Sequence, residues 1–114
     1  MRLPLLSLLL TLSIGAAACS PAVQEHVALM PEGEAVEFAM ETPSKDAYDV
    51  VETLKVTAAG KTIDEATDAA RNDLRNKAAA LGASLVIADR TDTSQDIVRE
   101  KRIVTITGRA FRAK

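Results

Sequence analysis

A chain of 114 residues accommodates one domain, and 14 Lys and Arg against 16 Asp and Glu leave a formal net charge of −2, which removes any overall drive toward nucleic acid or acidic lipid. A single cysteine and a single histidine argue against an internal disulfide and against a metal centre built from several such ligands. With no tryptophan, one tyrosine and two phenylalanines, the core must be assembled from Val, Ile, Leu and Ala.

Residues 1–18 have the layout of a secretory signal: Met1-Arg2 as a short positive start, an apolar stretch over 3–14, and Gly15-Ala16-Ala17-Ala18 as a small-residue cleavage zone. The apolar part is too short for a spanning helix. Cys19 comes directly after it and, in that setting, resembles the bacterial lipobox, in which a diacylglycerol is attached to the thiol, the leader is removed and the new N-terminus is acylated. The resemblance implies palmitate-type lipid on Cys19 and a durable membrane anchor of several acyl chains, which one chain alone would not provide. Ser20 after the cysteine implies sorting to the outer membrane, with the domain facing the periplasm. Ala16 stands where a lipobox has leucine or another branched residue, and Ala16-x-Ala18 also suits the ordinary signal peptidase, which would leave a free thiol at Cys19.

Without the leader, the basic residues number 13 (the 14 less Arg2) against 16 acidic ones. Their distribution is uneven. Residues 19–59 hold eight acids and two bases, and residues 60–114 hold eight acids and eleven bases, so an acidic N-terminal strand lying near a basic C-terminal one is expected. Residues 19–28, with Pro21 and no sustained period, read as a lipidated tether that could lift a domain about 30 Å from a bilayer. His26 stands alone in it, without a second ligand at helical or hairpin spacing, and reads as a solvated side chain.

The domain proper is expected over residues 29–114. Residues 29–34, with Pro31 and Gly33, form a turn-rich entry. Val36, Phe38 and Met40 then alternate with Glu37 and Glu41, the pattern of a short edge strand whose acids discourage pairing with another molecule. Residues 49–58 resume the extended pattern with imperfect alternation, Val50, Glu52, Leu54 and Val56 sharing one side. Tyr48 stands at the start of this run, and residues 59–61 turn the chain into a helix.

Thr62 and Glu65 have capping-box spacing, so the helix begins at about Ile63. Ile63, Ala66, Ala70, Leu74, Ala78 and Leu81 recur at steps of three or four and define the face laid on a core. Asp64, Asp68, Arg71, Asn72, Arg75 and Asn76 cover the other side, which reads chiefly as solvated and secondarily as a docking face for a partner. Acids early, bases late and an Asp73–Lys77 pair complement the helix dipole, and Gly82 supplies a left-handed stop. Residues 83–89 are nearly continuously apolar, as in a strand covered on both faces. They would lie beside the strand of 49–58 as a parallel crossover unit. Residues 90–96 read as a polar turn, and residues 97–114 as a returning hairpin strand with Val104, Ile106, Gly108 and Ala110 on the side facing the helix alanines.

These elements predict an α+β fold: a two-layer β-α-β-β core with one long helix packed on a small mixed sheet, plus an N-terminal edge strand. The run of residues 71–86, RNDLRNKAAALGASLV, followed by Ile106-Thr107-Gly108-Arg109-Ala110-Phe111, resembles small proteobacterial envelope lipoproteins of unknown function, whose shared pattern is N-x-A-A-x-L-G-A-x-x-V and a last strand reading G-x-A-[YF]. The resemblance implies a β-α-β-β domain similar to that of the Rcs envelope-stress sensor lipoprotein and of a cytoplasmic family associated with heavy-metal binding. The chain departs from both, lacking the sensor's disulfides and any Cys or His within the matching stretch.

No constellation carries recognisable catalytic chemistry, and no catalytic, metal or cofactor site is assigned. The carboxylate pairs Asp64/Asp68 and Asp92/Asp96 read as solvated acids rather than as an enzyme's acid and base. Arg99, Lys101, Arg102, Arg109 and Arg112 form the candidate interaction surface, for an envelope protein, for peptidoglycan or for a small ligand, with intramolecular pairing as the plainer reading. The resulting expectation is a non-enzymatic outer-membrane lipoprotein that binds another envelope component and no nucleic acid. A periplasmic enzyme with an unrecognised site is the alternative, and nothing in the pattern requires an oligomer.

Overall fold

The computed structural model describes residues 23–114; the leader reading of residues 1–18 and Cys19 lie outside the described residues. Five strands and two helices follow in the order β1 (Gln24–Glu25), α1 (Pro31–Glu34), β2 (Glu37–Phe38), β3 (Tyr48–Gly60), α2 (Ile63–Ala80), β4 (Leu85–Asp96) and β5 (Lys101–Ala113). They form a mixed sheet of order β1-β3-β5-β4-β2, with α2 against one face. The α+β, β-α-β-β architecture with an N-terminal edge strand is therefore present.

Local signals place α2. Thr62 is its N-cap, and its hydroxyl accepts from the Glu65 N–H at 3.1 Å. Glu65 reaches one residue further back than a capping box prescribes, accepting from the Lys61 N–H at 3.0 Å. At the other end Gly82 has φ of 81°, and the Ala83 and Gly82 N–H groups donate to the carbonyls of Ala78 and Ala79. That Schellman closure satisfies two of the carbonyls a helix end leaves free. Ala66, Ala70, Leu74 and Ala78 are fully buried as the period requires, joined by Ala69 and Asp73, whereas Ile63 at the first turn is exposed.

β5 is the centre of the sheet, antiparallel to both neighbours, from Tyr48↔Ala113 to Gly60↔Arg102 with β3 and from Leu85↔Phe111 to Asp96↔Lys101 with β4. The expected side-by-side parallel pair of β3 and β4 is thus corrected: the two run parallel with β5 inserted between them. A four-residue turn forces β5 beside β4, and the inner position lets β5 bury Val104, Ile106 and Ala110 in the core cluster that includes the helix. The polar turn expected over 90–96 is corrected as well. Backbone pairing with β5 carries β4 to Asp96, and the turn occupies 97–100. Bulges fall between Val50 and Glu52 in β3 and between Ala88 and Arg90 in β4. The first explains the imperfect alternation, since Val50 is exposed while Val51, Leu54 and Val56 pack on the core. Gly108 lies against β4 and Leu74 rather than against the helix alanines: a Cβ there would stand 2.5 Å from the Ile87 carbonyl oxygen and 3.4 Å from Leu74 Cδ2.

The N-terminal segment winds around this core. β1 pairs parallel with β3 at Ala58 and Ala59 on one edge, and β2 pairs parallel with β4 at Leu85 and Val86 on the other. Between them the chain crosses the polar side of α2, held by side chains expected to face water. Asn72 Nδ2 donates to the Val27 carbonyl at 2.9 Å, and Asn76 both donates to the Ala28 carbonyl and accepts from the Met30 N–H. Arg75 donates to the carbonyls of Val36 at 2.8 Å and Glu34 at 3.0 Å, while the Arg71 guanidinium sits 3.9 Å from the Phe38 ring centre. The solvated reading of this face is corrected for Asn72, Arg75 and Asn76, which dock the chain's own N-terminal strap, while Asp64 and Asp68 are exposed as expected. The tether is shortened to match, because residues 24–28 belong to the folded unit. The edge strand expected around 35–41 contracts to Glu37–Phe38, with Val36 buried and Met40 96% exposed.

Candidate functional site

The five basic side chains singled out from the sequence do not converge. Arg99, Lys101 and Arg102 stand at the β4–β5 turn, and Arg109 and Arg112 stand near the opposite end of β5, seven or more residues away along the strand, which is about 23 Å. Lys101 Nζ lies 3.0 Å from Glu25 Oε1, and Arg99 Nε lies 4.0 Å from Asp96 Oδ2. The hydrogen bond and charge of Lys101 hold the Glu25 carboxyl below its ordinary range. Arg109 forms a two-pronged pair with Asp89, Nε to Oδ2 and NH2 to Oδ1 at 2.8 Å each, and NH2 also donates to Thr42 Oγ1 at 3.1 Å. The Arg109 hydrogen bond lowers the Asp89 carboxyl and the pairing raises the guanidinium. Arg109 thus pins the chain joining β2 to β3 over the sheet face opposite α2, where Phe111 and Ile87 are buried. Of these pairs Lys101–Glu25 joins an N-terminal acid to the C-terminal strand, as does Lys114–Asp49 at 3.7 Å, so the charge asymmetry is used at least partly within the chain.

The remaining candidates are equally dispersed. His26 is exposed, with φ of 52°, and among the described residues no group of three His, Cys, Asp or Glu side chains could hold a metal. Asp92 accepts from Arg90 at 3.1 Å and Asp96 from the Arg99 N–H at 3.2 Å, while Asp64 and Asp68 are exposed on α2. Asp73 is buried, an outcome the periodicity did not signal. Lys77 Nζ supplies its counter-charge at 3.2 Å, yet Asp73 Oδ2 accepts no hydrogen bond of proper geometry.

Among the described residues, two surfaces bear on binding. A mostly apolar groove of about 280 Å³ runs between α1 and the end of α2, lined by Met30, Glu32, Gly33, Asn76, Ala79 and Ala80. Its central amide, Asn76, already serves Ala28 and Met30, which leaves few polar groups to orient a ligand. The second surface is the outer edge of β4. β2 pairs only with Leu85 and Val86, so from Ile87 to Asp96 no described strand adjoins that edge, and Arg90 to Gln95 are exposed. Sequence reading missed this edge because it took 90–96 as a turn; the β-branched Thr91 and Thr93 were the available signal.

No helix among the described residues is long and apolar enough to cross a membrane. Compared with protein-family models, with curated proteins and with solved structures, the chain matches none of them.

Proposed function

We propose that the protein is a lipid-anchored, non-enzymatic component of the bacterial outer membrane that binds another envelope component through its folded domain. The leader over 1–18 followed by Cys19 supports the anchor. What supports binding is the unpaired outer edge of β4: a row of free backbone N–H and C=O groups is the feature to which an extended segment of another protein adds as a strand. The bulge at Ala88/Arg90 and the Arg90–Asp92 pair interrupt that edge near its middle, as natural edges do to limit indiscriminate pairing. Peptidoglycan recognition by the basic strand loses support, since its five cations are split between two ends and several are engaged internally.

Two measurements test the reading. Metabolic labelling with a palmitate analogue should mark the wild-type chain in the membrane fraction and leave Cys19→Ala unlabelled and soluble; a wild-type chain carrying a free thiol contradicts the anchor. A photo-crosslinking residue at Thr93 should capture an envelope protein that the same probe at Asp68, on α2, does not. Identical background at both positions counts against the β4 edge.

A further inference from the structure

We propose that the free edge of β4 is closed by the same edge of a second copy of this chain, the two strands pairing antiparallel about a two-fold axis at Thr93. This deepens the reading of that edge as the binding surface, on which it rests, by naming the occupant. The bulge after Ala88 ends the regular part of β4 on one side and the turn over 97–100 ends it on the other, so Arg90 to Asp96 pairs residue by residue with β5. Thr93 is the midpoint of that segment. Folded about it, the segment is self-complementary: Arg90 of one copy faces Asp96 of the other, Thr91 faces Gln95 and Asp92 faces Ser94, each twice. Opposite charges directly across an antiparallel pair stabilise it and like charges destabilise it, which singles out this register. Moving the axis by one residue sets Asp92 against its own copy or against Asp96. An axis at Thr91 would pair Arg90 with Asp92, but the bulge leaves it only three regular residues on each strand.

The side chains are placed for this exchange. Thr91 and Thr93 share the α2 side of the sheet with their partners Ile106 and Val104, which puts Arg90, Asp92 and Asp96 together on the other side. The Arg90 side chain is 73% exposed, and its pair with Asp92 lies at the surface, so the guanidinium can turn to the second copy. Asp96 Oδ1 holds the Arg99 N–H, whereas Oδ2 is 4.0 Å from Arg99 Nε, beyond hydrogen-bond reach. The helix leaves the approach open, because α2 packs chiefly on β3 and β5. The same register also gathers exposed apolar side chains. Ile97 and Val98 of each copy come near the level of Asp89 and Ala88 of the other, beside the end of β2, where the Ala39 N–H donates to the Val86 carbonyl and Met40 follows. Met40, Val98 and Ile97 are the three most exposed large hydrophobic side chains among the described residues, and pairing brings them together at both ends of the interface. β2 and the second copy's β4 then lie end to end along one edge, and the two five-stranded sheets continue as one.

The axis sets Thr93 against itself, whereas the two Gln95 positions stand about 14 Å apart along the strands, beyond the reach of a disulfide. Full-length chains carrying Thr93→Cys or Gln95→Cys are treated with a mild oxidant in the cell fraction that holds them, with the wild type, whose sole cysteine is Cys19, as background. Thr93 and Gln95 are both exposed, so neither change burdens the fold. The expected result is a reducible dimer several-fold more abundant for Thr93→Cys than for Gln95→Cys or the wild type, with position 93 linked to position 93. Adding Arg90→Asp should reduce it several-fold, and adding Arg90→Asp together with Asp96→Arg should restore it. Equal dimer from both cysteine positions, a Thr93→Cys dimer indifferent to Arg90→Asp, or a loss that the double change does not restore overturns the pairing. No dimer at Thr93, where a photo-crosslinking residue captures a different protein, overturns the second copy as occupant and leaves the edge as a binding surface. No dimer and no capture overturn both.

Discussion

At the scale of single residues, glycine and charge decide different things. Gly108 is required by distance rather than by backbone conformation: any Cβ meets the Ile87 carbonyl oxygen of the neighbouring strand, which cannot move without breaking the ladder. Gly108→Val is expected to cost about 1–3 kcal/mol through overpacking, a fall in melting temperature of roughly 4–8 °C per kcal/mol for a domain of this size; an unchanged thermal transition contradicts the packing. The sequence pointed to this position because the strand face narrows to Gly108 and Ala110, but it named the wrong neighbours, since Leu74 rather than an alanine stands above it. Charge acts at the periphery. The Glu25 and Asp89 carboxyls are both held below their ordinary values of 4.5 and 3.8 by hydrogen-bonded cations. Their contribution is therefore complete above those values and is lost as pH falls through the lowered ones. In chemical denaturation at a series of pH values, the doubly substituted Glu25→Gln, Asp89→Asn chain should lose less stability below about pH 4.5 than the wild type; parallel curves refute the linkage.

At the scale of elements, α2 has two working faces. Its alanine-rich side permits close approach to the sheet, and its polar side binds the segment from Val27 to Phe38 through amide and guanidinium groups that meet backbone carbonyls. The strap has only one fully buried large side chain, Val36, among its apolar residues, so polar bonds carry much of its attachment. Arg75→Ala leaves the Val36 and Glu34 carbonyls without that donor, at about 1.5–3 kcal/mol for bonds to a charged group. Hydrogen exchange at the Glu37 and Ala39 amides, which pair with the carbonyls of Ser84 and Val86, should accelerate by tenfold or more, while amides in the middle of β5 change little. Equal acceleration of both sets would mean that the strap is not a separable unit.

At the scale of the whole molecule, the described N-terminal segment runs around the core from one sheet edge to the other. β1 lies on one sheet edge, the strap crosses the helix, β2 lies on the other edge, and the link pinned by Arg109 returns to β3 across the opposite face. β1 is thus held at a sheet edge and by the Lys101–Glu25 ion pair, outside the core strands. Residues 24–28 belong to the folded unit, through the β1–β3 pairing and the Asn72 and Asn76 bonds to the carbonyls of Val27 and Ala28. The unpaired part of β4, beyond Val86, lies on the edge of the sheet away from β1.

By itself the sequence determined where α2 begins and ends, which strand residues share a face, and the β-α-β-β order of elements. Capping, glycine stops and side-chain period act over a few neighbouring residues and leave local marks. Only the tertiary structure decided that β5 separates β3 from β4, that β4 extends through a polar run, and that Asn72, Arg75 and Asn76 face the strap instead of water. Those outcomes depend on which edges and carbonyls are brought together across about forty residues, and a polar side chain has the same spacing along a helix whether its partner is a distant carbonyl or the solvent.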